Sequence, residues 1–300
     1  MSKILTFGEI IWDVYPDKKL IGGAGLNFAA HAARCGAESY ILSAVGHDEL
    51  GRDALAYANS FGVDSELTEK CDKPTGQCLV TLDANGIPSY NVLCDVAYDN
   101  IAVGDDEIEK IKNIGFDALY FGTLIQRSGI SGKSLHKLVK AGNFSEKICD
   151  VNLRKDCFDE QSVLFCLENA TILKISDEEE PTLRQFGYYS PSESTPEAVA
   201  TAISDKFHNI KHIIITLGDK GAFVYCAREN RHFTMPSALV KVASTVGAGD
   251  SFIAAWATSI LSGSTPELAT EKAVKLSGFV VSRKDAIPNY RFENGILNES

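Results

Sequence analysis

The stretch Ser244-Thr245-Val246-Gly247-Ala248-Gly249-Asp250-Ser251-Phe252 combines small residues, a helix start and a carboxylate. Small residues at 247–249 let consecutive backbone N–H groups point one way. The alanine-rich helical pattern that follows, ending near Leu261, adds the unpaired donors and positive dipole end of its first turn. Such a cradle suits a transferring phosphoryl group, with Gly247, Ala248 and Gly249 as the anion hole. The Asp250 carboxylate belongs in an anion site if it accepts a proton from an attacking hydroxyl. The plainer reading is a glycine turn followed by a helix-capping aspartate.

Other polar residues fall where ligand sites form. Gly22-Gly23-Ala24-Gly25-Leu26-Asn27 precedes a helical pattern that stops at Gly36, so something approaches this backbone closely, and Asn27 either caps the helix or faces a ligand. Asp13 follows the first strand, Lys3 to Phe7, in an expected loop, as a ligand or a turn residue. Gln126 with Arg127, and Asn152 with Arg154, follow strands expected over 117–121 and 147–151. Polar groups bunched after parallel strands favour one shared crevice. The acidic run Ser176-Asp177-Glu178-Glu179-Glu180 is a solvated helix start or a holder of hydrated Mg²⁺.

The 300 residues carry 45% hydrophobic and 23% charged side chains, ordinary for a globular chain. A net charge of −11 opposes binding to nucleic acid or an anionic membrane. No apolar run approaches the roughly 18 residues of a membrane span. The N-terminus lacks a signal-peptide layout, so the expected location is cytoplasmic. Eight cysteines without a C-x-x-C pair argue against zinc or a disulfide scaffold. Gly132-Lys133-Ser134 imitates the end of a P-loop, but Arg127 stands where that motif needs glycine.

Strands and helices alternate along most of the chain, which predicts an α/β fold with a mostly parallel sheet. The rhythm breaks at residues 77–82 and 89–93, which flank Asp83-Ala84-Asn85-Gly86 as a hairpin: a lid, a dimer arm or a plain sheet edge. Residues 182–194 read as loop. A second hairpin spans 222–226 and 231–234, and a final helix covers 266–282. A nucleotide base fits between the 216–221 loop and the last two helices.

These residues together resemble the ribokinase-like (PfkB) carbohydrate kinases, and among them the bacterial fructokinases. Gly22 to Ala29, with Gly36 and Gly46, fits the N-terminal signature, and Ser244 to Asp250, continued by Ala254-Ala255-Trp256-Ala257, fits the C-terminal one. Gly122 to Ser128 and Asp150 to Arg154 look like fructokinase-type loops. The resemblance implies a single domain over 1–300, a ribokinase-like three-layer α/β/α sandwich with a small β-sheet lid from about 12–21 and 75–95. It implies ATP- and Mg²⁺-dependent phosphorylation of a sugar hydroxymethyl group, with fructose as the expected sugar and a homodimer through the lid. By resemblance, Asp250 is the base, and Asp13, Gly23, Gly25, Asn27, Gln126, Arg127 and Arg154 face the sugar. Ser176, Thr216, Gly218, Gly221 and Gly249 serve the nucleotide, and Glu179 the metal. Ser176 stands where many relatives have asparagine. Ser244 and Asp285 depart from the pattern of relatives activated by a monovalent cation, which leaves K⁺ activation open. Ribose, 2-keto-3-deoxygluconate or a nucleoside remain alternative acceptors, and a non-catalytic sugar- or nucleotide-binding regulator is the alternative from another class.

Overall fold

The computed structural model describes residues 1–82, 88–293 and 296–298; the expected turn at 83–86 lies outside them. Among the described residues the main sheet has nine strands. Their order is Arg231–Met235, Ala222–Cys226, His212–Thr216, Ile172–Ser176, Glu146–Asp150, Ala118–Gly122, Lys3–Phe7, Glu38–Leu42 and Val63–Asp64. From His212–Thr216 to Val63–Asp64 every pairing is parallel, and the 222–226/231–235 hairpin closes the other edge antiparallel. Parallel strands covered on both faces need apolar residues at successive positions, as in His212-Ile213-Ile214-Ile215. Alternation then divides the core. Leu5, Leu119, Cys149, Leu173 and Ile213 pack on one face, and Ile4, Ala118, Ile148, Ile172 and Ile214 on the other.

Helices Asp105–Ile114, Gly129–Ala141, Glu160–Asn169 and Pro196–Lys206 cover the first face; Ala24–Arg34, Ala248–Leu261 and Pro266–Val281 cover the second. This is the expected α/β/α sandwich. The 248–261 helix is buried on every side, and its fully buried Ala254, Ala255 and Ala257 let the neighbouring helices come close. Its bulky residues Phe252, Ile253 and Trp256 are also buried, and Trp256 donates its Nε1–H to Thr270 Oγ1 at 3.0 Å.

A separate four-stranded sheet, in the order Lys19–Gly22, Ile11–Val14, Gly76–Leu82 and Pro88–Val92, stands off the main one. It contains the expected hairpin. It also corrects one expectation, because Asp13 lies within a strand, opposite Cys78, and not in a loop. The β-branched and aromatic run Ile10-Ile11-Trp12 favours that extended pairing. Within 182–194, read as loop, the first residues complete the helix Glu180–Gln185, started by Pro181 in its first turn. Among the described residues no helix is long and apolar enough to cross a membrane.

The C-terminal segment is tied back to the 24–34 helix through fully buried His31. Its Nε2 lies 2.9 Å from the Ala286 carbonyl, which can only accept, so Nε2 carries the proton; Nδ1 then accepts from the Tyr290 hydroxyl at 2.6 Å. Burial lowers the His31 pKa to about 4, the Ala286 bond opposing. An unfolded histidine titrates near ~6.5. Between those values only the unfolded chain takes up this proton, so the contribution to stability is present above ~6.5 and is lost as pH falls toward 4. His31→Gln keeps a donor for Ala286 and an acceptor for Tyr290. It is expected to lose less Tm than wild type between about pH 7 and about pH 5; parallel Tm–pH curves would remove His31 as the source.

Candidate active site

Two helix N-termini, those of 24–34 and 248–261, meet over the carboxyl ends of the parallel strands, facing the four-stranded sheet. Between them lies a cavity of about 350 Å³. Gly247, with φ 81°, turns the chain into the second helix, and a side chain there would press on the Ala286 carbonyl at 2.8 Å. The N–H groups of that helix's first turn have no partner inside the helix. Gly247, Gly249 and Asp250 line the cavity; Ala248 does not, and its N–H donates to the Thr245 carbonyl at 3.3 Å.

Asp250 is 7% exposed. Its Oδ2 accepts a 2.8 Å hydrogen bond from Asn27 Nδ2, joining the two helix starts. Burial pushes the Asp250 carboxyl above the usual carboxylate range, while the Asn27 bond and the charges of Arg154 and Lys174 pull it back. The other end of the Asn27 amide, Oδ1, is buried without a partner. A buried acceptor left unpaired costs about 1–3 kcal/mol, so its place in a cavity wall marks it for a ligand donor. Asp13 enters from the four-stranded sheet. Burial raises its pKa, and Arg154 and the Cys78 thiol oppose the shift.

Gly23 lines the cavity with φ 98°, and a Cβ there would meet the Glu9 carbonyl at 2.8 Å. Gly25 is absent from the cavity wall and packs against the preceding loop: a Cβ there would stand 2.8 Å from Glu9 N and from Gly8 C and Cα. The glycine there serves backbone packing.

Two further expected residues, Arg127 and Gln126, are engaged by other protein groups. Arg127, with 8% of its side chain exposed, is held by Asp99 through Nε–Oδ1 at 2.8 Å and Nη2–Oδ2 at 2.9 Å, and donates to the Leu93 carbonyl at 2.6 Å. Gln126 donates to the Gly122 carbonyl at 2.9 Å. Neither lines the cavity. Their side chains brace the loop after the 118–122 strand, while Asn152 and Arg154 from the next strand do reach the cavity.

Glu179 ties two loops together: Oε1 accepts from Leu153 N at 2.7 Å and Oε2 from Ser176 N at 2.8 Å. Among the described residues no group of three or more His, Cys, Asp and Glu side chains could enclose a metal. A Mg²⁺ that keeps most of its waters needs only about one or two carboxylates besides phosphate oxygens. Glu179, oriented by backbone N–H groups and with lone pairs remaining, fits that demand. Thr216 pairs with Ser176 across neighbouring strands, so both stand on the same carboxyl edge, beyond the cavity wall. Gly218 and Gly221 follow with φ 58° and 101°, and Gly221 packs against the Met235 carbonyl.

Three acidic or basic residues of the wall were not among the expected site residues: Glu9, Asp150 and Lys174. Lys174 Nζ lies 2.8 and 3.1 Å from the two Asp150 oxygens, and both residues are buried. Burial alone would lower the Lys174 pKa, but Asp150, Glu179 and Asp250 hold it above its ordinary value. Burial pushes Asp150 up to about 6 against the pull of Lys174. The sequence did carry a signal, a lysine inside the otherwise apolar run Ile172-Leu173-Lys174-Ile175.

A mostly parallel α/β sandwich with a helix N-terminus beside a buried carboxylate is an arrangement suited to phosphoryl transfer to an alcohol. The sequence matches the family model "pfkB family carbohydrate kinase" over residues 2–291. A Pyrococcus horikoshii protein assigned as a sugar kinase is 31% identical over 260 residues, 83% of this chain and 76% of that one. Its structure in complex with ATP superimposes with a TM-score of 0.78 at 26% identity, covering 95% of this chain and 94% of that one. Ribokinase of Mus musculus is 25% identical over 280 residues, 87% of this chain and 77% of its own. Fructokinase-2 of Solanum lycopersicum is 25% identical over 315 residues, 95% and 92% respectively. The chain belongs to the pfkB family of carbohydrate kinases and has the ribokinase-like fold.

Removing one partner of a buried ion pair strands the other. Arg127→Met is therefore expected to cost roughly 3–5 kcal/mol in denaturant unfolding, while kcat/KM per folded molecule stays near wild type. A raised KM for sugar at unchanged stability would return Arg127 to the substrate site.

Proposed function

We propose that this sugar kinase phosphorylates the hydroxymethyl group of a neutral sugar with ATP and Mg²⁺, and that the sugar is fructose. The observation that carries the reading is Asn27. One end of its amide is bonded to Asp250, and the other is a buried acceptor free to take a hydroxyl. A sugar hydroxyl bound there brings its neighbours to the base.

The charges of the cavity favour a neutral acceptor over an acidic one. Its wall carries the carboxylates Glu9, Asp13, Asp150 and Asp250 against the cations Arg154 and Lys174. Lys174 is engaged by Asp150, and Arg127 by Asp99 elsewhere. Arg154 alone remains, and its charge acts on Asp13 and Asp250. A sugar acid such as 2-keto-3-deoxygluconate would add a negative charge to a site with none to spare. Ribose and a nucleoside satisfy the charge argument equally. Fructose is preferred on the likeness of the 122–128 and 150–154 loops to fructokinases.

In the reaction, Asp250 accepts the proton as the sugar oxygen attacks the γ-phosphorus in line, and the N–H groups at 247–249 receive the charge on the transferring oxygens. Asn27 fixes one Asp250 oxygen, so the other is the base. Asp13 and Arg154 hold the sugar's remaining hydroxyls. Glu179 would hold Mg²⁺ through water, and the bound ion supplies neutralisation of phosphate charge. Thr216 and Gly218 border the nucleotide. The four-stranded sheet acts as the lid, with Tyr90 and Val92 turned to the cavity, and excludes water when it closes. Pairing of two lids is the proposed route to a homodimer, which gel filtration checks.

Asp250→Asn keeps the shape of the side chain and removes the base. The expected result is a fall in kcat of about 10²–10⁴-fold with fructose binding, read by calorimetry, retained. A variant with wild-type kcat would take Asp250 out of the role. Because burial raises the Asp250 pKa, the acidic limb of kcat/KM is expected above the range of an ordinary carboxylate, with activity rising as pH rises through it.

A further inference from the structure

The proposed mechanism leaves one cavity cation without a task. Lys174 sits mid-strand in the centre of the sheet, its side chain 7% exposed. An ammonium has three N–H donors. The described hydrogen bonds of this one go to Asp150 Oδ1 and Oδ2, at 2.8 and 3.1 Å. Lys174 also lines the cavity together with Gly247, Gly249 and Asp250.

A second observation comes from Gly249. It lies inside a helix and is absent from the glycines with positive φ, so its backbone does not demand glycine. Space does: a Cβ at 249 would stand 3.0 Å from Lys174 Nζ and 3.4 Å from its Cε. The small residue in the cradle thus lets the ammonium come up against the backbone of the helix's first turn. A buried Lys–Asp pair kept only for stability could be replaced by apolar residues at little cost; crowding it against the anion cradle is what needs another reason.

We propose that Lys174 is a direct electrostatic contact for the phosphoryl group in transfer, with Asp150 as the residue that positions its ammonium behind Gly249. This rests on the phosphotransfer reading of the cavity given above. The N–H groups of residues 247–249 then approach the phosphoryl oxygens from the helix side, and Lys174 from the sheet side. No bond to lysine forms: the phosphoryl group passes from the ATP leaving oxygen to the sugar oxygen, and the hydroxyl proton goes to Asp250.

The test uses Lys174→Met, Lys174→Arg and the double variant Asp150→Asn/Lys174→Met, each with Tm, kinetics and calorimetric binding of ADP and of ADP with aluminium fluoride. Lys174→Met is expected to lower kcat by about 10²-fold, with the KM for sugar within a few-fold of wild type. It should also abolish the gain in affinity that fluoride gives over ADP alone. Lys174→Arg should recover part of both. The double variant removes both charges of the pair, so its Tm should return toward wild type while kcat and the fluoride gain stay low. Recovery of kcat and of the fluoride gain in the double variant would overturn the proposal and leave the pair a purely structural one. Failure of the wild type to turn over any sugar strikes the proposed function instead; the fluoride gain, read without sugar, still decides the role of Lys174.

Discussion

The hydrogen bond between Asn27 and Asp250 joins residues 223 positions apart, and the geometry of the site depends on it. It can form only because the 24–34 and 248–261 helices lie side by side on one face of the sheet, with both N-termini at the carboxyl edge of the parallel strands. The close approach follows from composition: alanines along the second helix and glycines at the first helix's start keep the backbones near each other. One helix thereby offers an amide that can bind a hydroxyl, and the other carries the proposed base and anion cradle. Fold and chemistry meet at that pair of side chains.

The second constraint is charge. The chain buries Glu9, Asp150 and Asp250 around one cavity, and burial raises the pKa of each. Lys174 is the buried cation set among them. Without it the cluster would gain protons, and a protonated Asp250 cannot act as a base. The loops are held with similar economy. Glu179 accepts from Leu153 and Ser176 at once, and Arg127 with Asp99 braces the neighbouring loop from below. The loop residues that reach the cavity, Asn152 and Arg154, stand on this bracing.

Much of this was legible in the sequence where the governing physics is local. Small residues before an alanine-rich helix signal a cradle, and alternating strand and helix patterns signal a wound sheet. The polar residues after the strands put Asp13, Gln126 with Arg127, and Asn152 with Arg154 near one crevice, and the family resemblance added Asn27 and Asp250. What failed to show was pairing at a distance. Arg127 reads as a free loop cation until Asp99, 28 residues earlier, is brought beneath it, and Lys174 needs Asp150, 24 residues away. Asp13 was misplaced in a loop because its strand exists only through pairing, with residues 19–22 on one side and 76–79 on the other. The 160–169 helix lacks a strong apolar stripe. It is fixed by the reciprocal bonds of Asp159 and Ser162 and by the burial of Val163, Cys166 and Leu167.

The central claim is that a cavity with one unengaged cation and an amide-bridged base phosphorylates a neutral sugar. The direct measurement is coupled ADP release with ATP–Mg²⁺ against fructose, ribose, adenosine and 2-keto-3-deoxygluconate, each with and without K⁺. The account predicts the highest kcat/KM for fructose and the lowest for the sugar acid. Preference for the acid, or ATP binding without turnover of any acceptor, would contradict it.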